Sequence, residues 1–435
     1  MTIRRKTWIG VGLFAIAGTA IPTAASASAV DLSSTRGAST VPMPAGKLAP
    51  FMVAGGEEGG GGEGGGALES YVLPDTDPNA APYDARAEIA AYAAGVRASY
   101  VAAQEGARSL AAAVGALLAD PTDETLAAAR KAWVAARPSY LVTEAYRFYD
   151  GPIEDREGEI NSWPMNEAFI DYVVGNPNAG IINDPKMEIS LVKLIVNNQA
   201  SDESDVTLGW HAIEFLLWGQ DLSATGPGDR PASDYVAGEG NNDRRRAYLK
   251  LVTDRLVSDI DHVAEAWTPG IPTNYAATFL ALPEREAVGR ILNGMAVLAG
   301  SELMSERMAV GLDSGDQEDE HSCFSDTTHQ DFVYDVKGIE NVWTGHYPGS
   351  TGPGIRDLTA KVDAELATRI DGLLADTTAK IAKLGDPWDQ VLAAAPGTPP
   401  RNDAEAAVAS LGVLAAAFKD AGAKLGVLVQ IPTGG

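Results

Sequence analysis

His211 and Glu214 stand three residues apart in GWHAIEFLLWGQD (209–221). Each residue of an α-helix turns by about 100°, so positions three apart lie within about 60° of one another on one face. A neutral imidazole and a carboxylate so placed can converge on one cation. Ile213, Phe215, Leu216, Leu217 and Trp218 surround them. In such a setting a carboxylate needs a proton, a cation or an arginine, because burying it unpaired is unfavourable by several kcal/mol. Metal binding and a structural hydrogen-bonded pair are the two readings of this spacing. A second His-x-x-Glu, His262 to Glu265 in DIDHVAEAW, sits beside Asp259 and Asp261 and reads as a solvated helix end.

Two ligands from one helix do not make a site, and the others must project from neighbouring helices. Glu144, in TEAYRF, shares a segment with Trp133 and Tyr140 that predicts a buried face; it is the first candidate for a third ligand, with a salt bridge to Arg137 or Arg147 as the alternative. Glu302 and Glu306, one turn apart in SELMSERM, either reach inward or form a solvated acidic face. The segment DSGDQEDEHSCFSDTTHQD (313–331) gathers seven acids around His321, Cys323 and His329. Its spacing matches neither an EF-hand nor a zinc knuckle. It reads as a second cation-binding loop using Asp319, Glu320 and His321, or, the favoured reading, as acids that cap helices and pair with Arg244–Arg246. No His-Glu-x-x-His helix is present, which weakens a hydrolase reading.

The elements that must position these side chains are helices. DARAEIAAYAAGVRASYVAAQEGARSLAAAVGALLAD places Ile89, Tyr92, Val96, Tyr100 and Leu110 at helical spacing. A second helix starts at Pro121-Thr122-Asp123 and runs to Gly151-Pro152. After a loop-rich insert, helices are predicted near 187–198, 205–219, 244–267, 283–312, 354–384 and 403–428. Nothing alternates with period two for long enough to make a sheet. The fold class is all-α: two antiparallel helical-bundle halves, 84–225 and 243–425, joined by a polar connection at 226–243 and followed by a tail, 426–435.

Residues 1–29 read as a signal peptide: Arg4, Arg5 and Lys6, a short apolar run, then Ala-x-Ala cleavage sites. Residues 30–83, including GGEEGGGGEGGG, read as a disordered Gly/Pro/Ser-rich tether. The chain is therefore expected to be exported, to the periplasm or the outer face of a bacterial envelope, with no transmembrane helix after cleavage. The net charge of −26 repels nucleic acid and attracts cations. Cys323 is the single cysteine, so no internal disulfide braces the fold.

GWHAIEFLLWGQD resembles the Gly-x-His-x-x-Glu signature of the imelysin family. WVAARPSYLVTEAYRFYDGPIE (133–154), INSWPMNEAFIDYV (160–173), GPGDRPASDY (226–235) and SGDQEDEHSCFSDTTHQDF (314–332) resemble its iron-regulated branch. The resemblance spans roughly 85–425. It implies an all-helical imelysin-like body with His211 and Glu214 at the functional site, Gly209 permitting close helix approach, and Arg137 and Arg147 within the matching stretches. Where relatives often carry an acid this chain has Asn166, leaving Glu167 or Asp171 as substitutes. The family is classed among metallopeptidases, while many members are linked to iron uptake. The expectation is a protein that binds a divalent or ferric cation, iron first and zinc or manganese next, and works with envelope iron-uptake components. The alternative is a metallopeptidase using a metal-activated water, for which no catalytic residue is assigned.

Overall fold

The computed structural model describes residues 73–432, so the leader and most of the Gly-rich segment lie outside the described residues. The apolar stripe read from the sequence is the buried face of helix α1, Arg86–Ala119, which covers Ile89, Tyr92, Val96, Tyr100 and Leu110. Helix α2, Asp123–Leu141, starts at a reciprocal cap between Thr122 and Thr125 that satisfies two otherwise orphaned amides. Helices α3, Gly209–Trp218, and α4, Asn242–Ala266, complete a first four-helix group with α1 and α2. T-shaped contacts of Trp133 with Trp210 and Trp218, at 6.1 and 5.5 Å, lock α2 to α3.

Helix α5, Glu284–Val297, continues through a π-helical stretch, Leu298–Ala309. With α6, Thr328–Thr344, α7, Ala364–Ile381, and α8, Pro399–Lys424, it makes a second group. Helix α8 is long and apolar enough to cross a membrane, but half of that stretch is buried here against the π-helical segment and α7. Strands are two residues long: β1, Asp75–Thr76, β2, His346–Tyr347, β3, Ser350–Thr351, and β4, Val427–Leu428. β1 pairs antiparallel with β4, Asp75 opposite Leu428, and β2 with β3. The chain is all-α.

Several boundaries differ from the sequence reading. The second helix stops at Leu141 and tightens into a 3-10 stretch, Val142–Tyr146. That stretch is wedged against α6, where a Cβ on Gly338 would sit 2.5 Å from the Val142 carbonyl oxygen. α6 itself was not anticipated, because its polar first turns continue the acidic loop; its apolar face, Phe332, Val336, Ile339 and Trp343, is buried. The helix expected over 354–384 breaks at Asp363, whose side chain accepts from the Leu366 amide and caps α7.

The folded body also extends past both expected ends. Residues 73–83 are not tether: besides the β1–β4 pairing, Arg285 donates to the carbonyls of Asp77, Ala80 and Ala81. Val427 and Val429 of the expected tail are buried. The polar connection 226–243 joins α3 to α4 inside the first group, so the passage between groups falls at 267–283.

Candidate functional site

Gly209 opens α3 at φ +87°, a conformation that L side chains rarely adopt, and packs on the Glu159–Ile160 backbone. A Cβ there would collide with the Ile160 carbonyl group, 2.7 Å from its carbon. This close approach sets the position of His211 and Glu214 one turn later. Both are wholly buried. His211 Nδ1 lies 2.9 Å from Glu214 Oε2, and Glu214 Oε1 accepts from the Ser325 amide and hydroxyl at 3.0 and 2.6 Å. Both oxygens are engaged, which puts Glu214 behind the imidazole. His211 Nε2 is buried and has no hydrogen-bond partner.

The structure adds a second histidine of the same design. His321 Nδ1 lies 2.6 Å from Asp331 Oδ2, which also accepts from Ser322 Oγ at 2.6 Å and Arg137 Nη2 at 3.2 Å. The two imidazoles stand 4.7 Å apart, centroid to centroid, and Trp163 packs on both at 5.0 and 6.5 Å. A carboxylate at Nδ1 selects the Nδ1–H tautomer and leaves Nε2 as a lone-pair donor, the usual arrangement behind metal-binding histidines. Burial, and then the charge of neighbouring groups, holds both imidazoles well below their ordinary pKa and therefore neutral. Burial pushes Glu214 up to about 8 against the donors of Ser325.

His321 lines a cleft of ≈ 280 Å³ between the two helical groups, beside Trp163, Glu302, Glu306 and Asp319. Arg147 and Arg307 also line it. Glu144 does not face it as a free ligand. Fully buried, it accepts from Arg147 at 2.6 Å and Arg307 at 2.5 Å. Burial by itself would raise its pKa, but the two guanidinium groups outweigh that and hold it down to about 2. The salt-bridge alternative therefore describes Glu144. Glu302 belongs to the same network, 2.9 Å from Arg307 and 3.5 Å from Arg147. Arg137 sits in a box of Trp133, Tyr140 and Trp210 and ties Asn161 to Asp331.

Other candidates fall elsewhere. Asp171 is clamped by Arg230 at 2.8 Å and Arg245 at 2.6 Å, which leaves no place for a cation. Glu167 accepts from Gln220 and is pushed up to about 7 by burial and by Glu318. Arg244–Arg246 do not pair with the acidic loop. Arg244 binds the carbonyls of Ile181, Ile182, Asp184 and Met187, Arg245 binds Asp171, and Arg246 binds the carbonyls of Tyr235 and Leu118. His262 and Glu265 are exposed. Sequence reasoning missed Ser325, Trp163 and Arg307, and gave Asp331 no role. Asp331 stands ten positions after His321, in the first turn of α6 beyond an irregular loop, so no periodicity signals their contact.

The imelysin family model, a peptidase M75 description, matches residues 96–417. Iron-regulated protein A of Synechococcus elongatus is 23% identical over 323 residues, 72% of this chain and 79% of that protein. The crystal structure of an iron-regulated protein A precursor from Parabacteroides distasonis superposes with a TM-score of 0.64 at 21% identity, covering 80% of this chain and 98% of that one. An imelysin-like protein from Psychrobacter arcticum gives 0.55 at 15% identity, over 81% and 99%. A family match over most of the folded body, and solved folds that superpose along nearly their whole length, place the chain in one group: it belongs to the imelysin family.

Proposed function

We propose that this protein captures a divalent or ferric cation, iron foremost, at the His211–His321 pair, and serves metal acquisition at the cell envelope. The observation that carries the reading is the doubled arrangement of two neutral imidazoles 4.7 Å apart, each with Nδ1 held by a buried carboxylate. His211 Nε2 is buried without a hydrogen-bond partner, and once Glu214 is ionised behind Nδ1–H it offers the lone pair a cation requires. His321 carries the pair to the cleft wall, where Glu306 and Asp319 supply oxygen donors. Mixed nitrogen and oxygen donors suit iron, manganese and zinc, and affinity order alone does not separate them. The name iron-regulated protein A, borne by the Synechococcus relative, supports iron as the cargo.

Within this reading Glu214 and Asp331 orient the imidazoles, Ser325 and Arg137 hold those carboxylates, and Trp163 keeps water from the paired rings. The test is calorimetric titration of residues 30–435 with ferrous, manganous and zinc salts. Wild type and His262→Ala are expected to bind one equivalent alike, while His211→Ala and His321→Ala lose it. Equal affinity in all four proteins would end the proposal.

A further inference from the structure

A second cluster involves the loop that carries His321. Oxygens of Asp221, Asp326 and Asp389 gather within 4.8 Å of one another, and among the described residues this is the one group of three or more potential ligands that does so. Glu320 borders this group through one member: it is wholly buried, and its carboxyl group faces Asp389. Both oxygens of Asp389 and one each of Asp221 and Asp326 are buried with no N–H donor, and these acids face one another, Asp326 against Asp221 and Asp389 against Glu320. Carboxylates almost never occupy a protein interior in that state unless a proton or cation joins them.

We propose that Asp221, Asp326 and Asp389, with Glu320 against Asp389, form a calcium site, distinct from the histidine pair, that staples the loop carrying His321 to the helices on either side. An all-oxygen set of carboxylates, with no nitrogen or sulfur donor, is the chemistry of a hard cation. Calcium accepts such irregular, carboxylate-rich cages, whereas magnesium requires near-octahedral geometry and keeps much of its water. The strongest charges acting on Asp326, besides its own burial, come from Asp389 and Asp221.

The positions give the site a purpose. Asp221 follows α3 by three residues, and Asp389 begins a short helix, Asp389–Leu392. Glu320 immediately precedes His321. Asp326 immediately follows Ser325, which holds Glu214. An ion on the three aspartates, with Glu320 held against Asp389, therefore fixes the loop at both points where it meets the histidine pair.

The experiment is calcium titration of chelator-treated residues 30–435, by calorimetry and by the melting temperature. Wild type is expected to bind one calcium and melt higher when loaded. Asp389→Asn is expected to weaken binding by at least about tenfold, since affinity follows ligand charge. Without calcium it should melt no lower than wild type, because one repelling charge has gone. Asp326→Asn, at a half-buried position, makes the same test should Asp389→Asn fail to fold. His211→Ala should bind calcium as wild type does, which separates this site from the proposed cargo site. No heat and no melting shift in wild type at millimolar calcium, or unchanged affinity in the two aspartate variants, would overturn the proposal.

Discussion

Replacing Glu144 by glutamine separates two roles that the sequence left open. The side chain is fully buried and bridges Arg147 and Arg307 at 2.6 and 2.5 Å. Its carboxyl pKa is held at about 2 in the fold against an ordinary 4.5. At about 1.4 kcal/mol per pKa unit, that displacement corresponds to about 3 kcal/mol. Breaking a buried ion pair from one side costs about 3–5 kcal/mol by a separate route. Here the loss sits at the low end, because Arg147 retains Glu157 at 3.3 Å and Arg307 retains Asp335 at 2.7 Å.

The sign follows from the lowered folded pKa. The contribution is complete above the unfolded value and lost as pH falls through the folded one. Glu144→Gln is therefore expected to lose about 3 kcal/mol in urea denaturation at pH 7, with the two proteins converging as pH drops from 4.5 toward 2. Cation affinity at the histidine pair should be nearly unchanged. A variant as stable as wild type whose cation affinity falls as far as that of His211→Ala would refute the reasoning and make Glu144 a ligand.

Glu214, near 8, is largely protonated at pH 7, and a cation on His211 Nε2 requires its ionised form behind Nδ1–H. Affinity is thus expected to rise with pH and level off above about 8, with close to one proton released per cation at pH 6.5; calorimetry in buffers of different ionisation heat reads this directly. Gly209→Ala combines left-handed strain with backbone overlap and should destabilise by about 3 kcal/mol or more, measured by urea denaturation; a loss below half of that would mean the Ile160 backbone yields easily. Asp171→Asn, which unbalances Arg230 and Arg245, should lower stability while leaving cation titrations unchanged. Peptide cleavage that a chelator stops and His321→Ala abolishes would move the assignment to a hydrolase; the expected result is no such cleavage.

The sequence by itself determined the class of fold and singled out the buried polar pair on which the proposed site is built. Apolar residues at helical spacing determined α1, and the unusual company of His211 and Glu214 marked them as buried polar groups needing a partner. Those are local properties, carried by residues within a turn or two of each other. Tertiary structure decided the rest. His211 meets His321 across 110 positions, Glu144 is claimed by Arg307 across 163, and three aspartates from three separate segments are pressed together. A side chain's periodicity says which way it faces along its own helix. Which charge waits there depends on how helices and loops far apart in the chain pack, and on that packing rests whether a buried acid becomes a salt bridge, a brace behind an imidazole or a ligand.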